Sequence, residues 1–370
     1  VSVSSFQLLR YRAFRDEQRV GLRPITLVLG RNNVGKSALL RAPHFLTLPL
    51  STRAAEVPFP LSEDGFGTHA WTFDEVTWDR DPRGFVGEIE WAGRKVRVGA
   101  TSIPEQRHRQ HLLELSVDGQ PVDVAGGWPA ARQRLAALLD IGRDACWNLV
   151  GIRQPAKHRY PFRGAEVSGP GVDGSLAPYQ VLQGRDDGTI RLLNEWATRL
   201  LGCRFEVDDE RDDFAVWVRA GASAPRVNLA SCGDGIGQVL PILTLLLLTP
   251  RAARPGLLCL EQPDLHLHPR AHAELGDLMI HCTNQDPDLR LLVECHSDVL
   301  LLRLRRRVAE GLDPNRIGVL YVDQADDGAS TLREIKLNTR GVPDWWPSGV
   351  FEEAPQEYLA MRRHLSRHVP

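Results

Sequence analysis

The chain has 370 residues, of which 42% are hydrophobic and 25% charged, and a formal net charge of −2. That is ordinary for a globular protein large enough for one big domain or two smaller ones, with a sizeable core that needs no staples. The near-neutral balance excludes a global basic field of the kind that binds nucleic acid indiscriminately, so any DNA contact has to be local.

Residues 1–29 read as strands: Val3 to Leu9 alternates, no signal-peptide pattern opens the chain, and Ile25 to Leu29 is a buried parallel strand. The stretch Gly30-Arg31-Asn32-Asn33-Val34-Gly35-Lys36-Ser37 follows and runs into a helix. In that strand-loop-helix context the backbone N–H groups from Gly30 through Asn32, Asn33 and Gly35, with the positive end of the helix, make a concavity for a polyphosphate. Lys36 then reaches the β- and γ-phosphates, and the Ser37 hydroxyl ligates Mg²⁺. Pro43 is expected to kink or end the helix, and a loop is expected around Glu63, Asp64, Gly65 and Gly67.

Four short apolar runs, Phe73 to Trp78, Gly84 to Trp91, Lys95 to Val98 and Leu112 to Val117, are separated by turn signals and predict an antiparallel meander. Trp128 to Leu139 has helical spacing and Ala145 to Ile152 is strand-like. Residues 153–226 are the least regular part. A basic, Gly- and Pro-rich loop runs from Arg153-Gln154-Pro155 to Gly174, then come an amphipathic helix, Thr189 to Leu201, and two short strands, Arg204 to Val207 and Phe214 to Val218.

Gly233, Gly235 and Gly237 precede Gln238 and an apolar helix, again offering N–H groups to an anion, although a plain loop reads the same way. That helix contains the longest apolar run, Val239 to Leu248, which is too short to cross a bilayer and is interrupted by Pro241, so no membrane partner is expected. The last third alternates strands and helices, which argues for a parallel sheet covered by helices. The strand Leu257 to Leu260 ends in Glu261, a carboxylate at the edge where α/β proteins bind ligands and the natural outer ligand for Mg²⁺. The strand Leu291 to Glu294 ends at Cys295-His296-Ser297. That puts His296 at the same edge, either as a satisfied core histidine or as a partner of a γ-phosphate or an attacking water.

His266-Leu267-His268 lacks third and fourth ligands of recognisable spacing, so zinc is not expected. The six cysteines form no CxxC pair and read as reduced core residues of a cytoplasmic protein. Four arginines on Leu300 to Val308 read as a solvated helix face, with a DNA or acidic-partner patch as the alternative. Arg153, Lys157, Arg159 and Arg163 form a second basic cluster.

The order GRNNVGKS, LASCGDGIGQVLP, LLCLEQPDLHLHP and LLVECHS resembles the ABC-type ATPases of the SMC, RecF and OLD (overcoming lysogenization defect) group. It is most similar to small bacterial AAA-labelled proteins of that group, which share E-Q-P-E-x-H-L-H-P and a C-terminal W-P-x-G-F-F-like element, here Trp346 to Phe351. The resemblance is strong over the four motifs and weak over residues 50–225. It implies an α/β fold, a two-lobed ABC-type ATPase head with a strand-rich N-terminal lobe plus a helix-flanked parallel sheet. The implied divisions are 1–152, 153–226, 227–340 and a tail at 341–370.

Carried onto this sequence, the resemblance makes Gly30 to Ser37 the Walker A loop, Glu261 the Walker B acid, His296 the switch histidine and Gln154 the Q-loop residue. Gly233, Gly235, Gly237 and Gln238 become the signature that contacts the γ-phosphate held by a second protomer. The implied cofactors are ATP and Mg²⁺. The implied assembly is a cytoplasmic homodimer through the ATP sites, acting in DNA transaction or anti-phage defence with a separate effector such as a nuclease. Three departures stand out: Gly237 replaces the signature serine, Gln262 replaces the catalytic glutamate, and no toprim-type acidic cluster follows. A neutral amide orients water but accepts no proton, so hydrolysis is expected to be slow, with Asp264 or His296 as the acceptor. The rivals are a non-hydrolysing ATP-bound scaffold and an OLD-like nuclease.

Overall fold

The computed structural model describes residues 3–51, 54, 56–59, 73–103, 106–139, 144–250, 254–351 and 353–367; the loop expected at 63–67 lies outside them. Strands β1 (Val3–Leu9), β2 (Gln18–Gly21) and β3 (Ile25–Leu29) lead into helix α1 (Lys36–Thr47). Then come β4 (Phe85–Trp91), β5 (Arg94–Ile103), β6 (Gln106–Val117), β7 (Gln120–Pro121), α2 (Gly127–Leu138) and β8 (Cys146–Leu149). The middle of the chain forms β9 (Tyr160–Pro161), α3 (Ala177–Asp187), α4 (Ile190–Leu201), β10 (Arg204–Asp209), β11 (Asp213–Arg219) and β12 (Arg226–Asn228). The remainder is α5 (Asp234–Leu247), β13 (Leu257–Glu261), α6 (Pro269–Gln285), β14 (Arg290–Glu294), α7 (Asp298–Ala309), β15 (Ile317–Gln324), β16 (Ser330–Ile335) and α8 (Glu353–Arg367).

The central sheet has the order β16-β15-β3-β14-β13-β8, parallel throughout except for β16. Its strands come from both ends of the sequence, and both faces are covered, which is why β3 and β13 are buried at every position. Side-chain alternation divides each strand between two cores. Ile25, Leu27, Leu258, Leu260, Leu291 and Val293 face the core that includes α4, α5 and α6; Val28, Leu257, Cys259 and Leu292 face α1 and the second sheet. That second sheet, β2-β1-β4-β5-β6-β7, is antiparallel, and a small sheet of β9 to β12 packs on the helical side. The architecture is the expected one, a strand-rich lobe around the loop and a helix-flanked parallel sheet.

Two local expectations are corrected, and one helix forms where the sequence predicts none. Pro43 does not end its helix: α1 runs to Thr47 because Leu39, Leu40, Ala42, Phe45 and Leu46 are all buried, and that packing outweighs the missing N–H. Phe73 to Trp78 is not a strand but two 3₁₀ turns, Phe73–Val76 and Trp78–Arg80, with Phe73 drawn into an aromatic cluster with Phe59 and Phe85. The helix α3 was not expected. Its Gly184 seats the backbone against Leu248, where a Cβ would stand 3.2 Å from Cδ1, so its stability comes from docking rather than propensity.

Candidate functional site

The loop from Gly30 to Ser37 leaves the carboxyl end of β3 and enters α1 at Lys36. Its shape demands its glycines. Gly30 has φ +149° and a Cβ there would lie 2.4 Å from Val322 O; Gly35 has φ +94° and a Cβ would lie 2.7 Å from Ala13 Cβ. Asn33 also takes a left-handed φ of 65°, which Asn tolerates better than most residues. Ser330 braces the loop from β16, its hydroxyl donating to Val34 O at 2.8 Å and its N–H to Ala13 O at 2.8 Å. No sequence signal pointed to Ser330.

Lys36 is almost fully buried, and its Nζ donates to Arg31 O at 2.6 Å. The acid beside it is Glu294, at the end of β14. One Glu294 oxygen accepts the Ser37 hydroxyl at 2.9 Å, and the other lies 3.9 Å from Lys36 Nζ and 3.6 Å from His296 Nε2. Burial pushes the Lys36 amine down, opposed by the Glu294 charge. Burial also pushes the Glu294 carboxyl up, but the nearby His296 imidazole, the hydrogen bond from Ser37 and the Lys36 charge outweigh it and hold the group below the ordinary carboxylate range. Sequence reasoning assigned Glu294 no role. The signal was available, since it ends an apolar strand just as Glu261 does.

Glu261 lies one strand further from the loop, on β13, and its carboxylate is already engaged. Arg41 Nε and Nη2 donate to its two oxygens at 2.6 and 2.9 Å, and Asn148 Nδ2 donates to Oε1 at 3.1 Å. The Ser37 hydroxyl is thus bonded to Glu294 and not to Glu261. Hydroxyl and carboxylate donors suit Mg²⁺, which takes one or two protein carboxylates and completes its shell with phosphate oxygens and water. The loop amides, Lys36, Ser37 and the strand-end acids therefore fit a Mg²⁺–nucleotide.

Gln262 adopts φ +42°, donates its N–H to Glu294 O at 3.1 Å and lies over Gly151, where a Cβ would be 3.3 Å from its Oε1. Asp264 is buried, and its Oδ1 has no hydrogen-bond partner among the described residues. Burial raises its pKa. A raised native pKa means that this carboxyl contributes stability below the unfolded Asp range and loses it as pH rises through the native value. Asp264→Asn is accordingly expected to melt higher than wild type at neutral pH, with the difference closing as the buffer is taken below about pH 4. A melting temperature that falls equally at both pH values would show Asp264 to be a net stabilising acceptor instead.

Of the residues expected to form the signature, Gly233 caps α5 and is exposed, while Gly235 is pressed on His266, where a Cβ would lie 2.4 Å from the carbonyl oxygen. The Gln238 amide is turned inward. Its Oε1 accepts the Arg153 N–H at 3.1 Å and its Nε2 donates to Arg153 O at 3.1 Å. Arg153 is also buried, donating Nη1 to Gln238 O at 3.3 Å and Nη2 to Glu261 O at 2.8 Å. Burial pushes its pKa down to about 10, opposed by the Glu261 and Asp264 charges, so the guanidinium stays protonated. Arg153 thus joins the loop after β8 to α5 and the end of β13, while Gln154 beside it is exposed.

The two basic clusters are largely paired within the chain. Arg307 donates to Asp277 and Glu310, Arg303 to Asp277, Arg306 to Glu310, and Arg305 to Gly341 O. Arg159 pairs with Asp213 and Glu210, and Arg163 lies 4.8 Å from the Tyr179 ring centroid.

Residues 204–303, from β10 into α7, match the family model described as "AAA domain, putative AbiEii toxin, Type IV TA system". No curated protein matches the chain. Among solved structures, an SMC head bound to the C-terminal winged-helix domain of ScpA is 13% identical, with 91% of this chain and 98% of that chain covered and a TM-score of 0.56. The SMC head domain with an extended coiled coil bound to the C-terminal domain of ScpA, from Pyrococcus furiosus, is 11% identical over 98% of this chain and 99% of that one, with a TM-score of 0.54. The SMC head domain from Thermotoga maritima is 13% identical over 91% and 100%, with a TM-score of 0.50. At such identity the likeness is one of fold, and the fold is that of the SMC head domain.

Proposed function

We propose that this chain, an ABC-type ATPase head by fold, binds ATP with Mg²⁺ on the Gly30–Ser37 loop, hydrolyses it slowly, and pairs with a second copy when ATP is held. The observation that carries the reading is the juxtaposition of Lys36, Ser37 and a strand-end carboxylate at the carboxyl edge of a parallel sheet. When bound, Mg²⁺–ATP supplies the transferable γ-phosphoryl group with its charge neutralised. This chain's own groups do the rest. Loop amides and Lys36 hold the phosphates, Ser37 with Glu294 or Glu261 offers the cation its oxygens, and Gln262 orients water. Asp264, with a free buried lone pair and a raised pKa, or His296 takes the proton.

Gly233, at the start of α5, and the neighbouring Gly235 and Gly237 offer N–H groups to a phosphate on the other copy. The readout of pairing is carried by a separate effector, a nuclease or a DNA-bound factor, in a DNA-transaction or anti-phage setting in the cytoplasm. A scaffold that holds ATP without turnover is the second reading, favoured by Gln262. The nuclease reading draws no support from the acids at and beyond the end of β15: Asp327 pairs with Arg15, and Asp323, still within the strand, accepts the Gln324 N–H at 3.0 Å.

Lys36→Ala tests the site. It is expected to lower ATP affinity by on the order of 10²-fold, the worth of one or two charge-assisted hydrogen bonds, and to abolish any ATP-dependent doubling of mass in light scattering. Unchanged affinity would remove the loop from the reading, and one mass in apo, ADP and ATP-analogue samples of wild type would remove nucleotide-gated pairing.

A further inference from the structure

Glu294 stands between both side chains on which phosphate and cation binding depend. Its oxygens take the Ser37 hydroxyl at 2.9 Å and face Lys36 Nζ at 3.9 Å, and the residue is 3% exposed. It belongs to β14, the strand paired directly with β3, with Glu294 in register with Val28. Glu261 has Arg41 as its own counter-ion. A buried carboxylate at this position sets a charge condition on the ligand. A triphosphate arriving alone sets negative oxygens against Glu294, and Lys36 is then asked to neutralise both partners. Like charges a few ångströms apart in a poorly solvated site repel strongly, whereas a divalent cation between them converts the same carboxylate into a ligand.

Building on the nucleotide reading above, we propose that Glu294 is a divalent-cation gate: it repels metal-free nucleoside triphosphate from the loop and admits it only with a cation that Glu294 and Ser37 ligate together. The His296 imidazole lies 3.6 Å from the same carboxylate.

The test is fluorescence titration of the full chain with a ribose-labelled ATP analogue, in excess Mg²⁺ and in EDTA, for wild type, Glu294→Gln, Glu294→Thr and Glu261→Gln. Circular dichroism melts confirm that each variant is folded. Wild type is expected to lose about 10²-fold or more in affinity when Mg²⁺ is chelated. Glu294→Gln keeps the shape and loses the charge, and is expected to lose less than about 10-fold, chiefly because its metal-free binding is tighter. Glu294→Thr should do the same and covers the case in which the glutamine variant does not fold. Equal Mg²⁺ dependence in wild type and both Glu294 variants overturns the gate. So does relief of that dependence by Glu261→Gln alone, which would put the cation on the other strand end. The nucleotide reading fails in a different way, through wild type that does not bind the analogue with Mg²⁺ or Lys36→Ala that binds it as well as wild type.

Discussion

Gln262→Glu is expected to accelerate single-turnover ATP hydrolysis by about 10²- to 10⁴-fold, the usual worth of a positioned general base. The residue follows Glu261 directly at the end of β13, and its backbone is pinned by the hydrogen bond from its N–H to Glu294 O at 3.1 Å. Glutamate has the same length and branching as glutamine, so the substitution changes charge and basicity while the side chain keeps its place over Gly151. The wild-type amide can orient a water molecule but has no basic oxygen near neutral pH. The measurement is quenched-flow turnover by wild type, Gln262→Glu, Asp264→Asn and His296→Ala. Fast wild-type turnover that survives both Asp264→Asn and His296→Ala would place the base elsewhere and reject this account of the strand end.

Arg41→Ala should cost about 3–5 kcal/mol of stability, the range for stripping one partner from a buried ion pair. Arg41 is on α1 and Glu261 on β13, 220 positions apart in sequence, and the carboxylate side chain is 7% exposed. Without the guanidinium, Glu261 keeps the Asn148 amide at 3.1 Å but has no other counter-ion in hydrogen-bond contact among the described residues. Urea unfolding without nucleotide should show a lower midpoint at unchanged slope. The double variant Arg41→Met, Glu261→Gln should recover most of the loss, because it removes the stranded charge. A loss under about 1 kcal/mol would mean that the pair behaves as a screened surface bridge.

The sequence by itself determined what neighbouring residues determine together. An apolar strand, a turn that only glycine permits at positions 30 and 35, and a helix beginning at Lys36 are local facts, and they suffice to specify the phosphate loop. Period and composition likewise placed β13 and β14 and the alternation of strands and helices around them, and motif order carried the fold class. Tertiary structure decided which groups face one another. Glu261 and Glu294 look alike in sequence, each closing an apolar run, and only strand order separates them: β14 lies beside β3, so Glu294 meets Ser37 while Glu261 turns to Arg41. The Arg153–Gln238 bonds join segments 85 positions apart, and no local pattern foretells them. Pro43 inside α1, the 3₁₀ turn at Phe73 and the helix α3 have the same origin. In each, burial against distant parts of the chain outweighed a local preference, because propensities differ by a few kcal/mol at most while a shared core offers more than that.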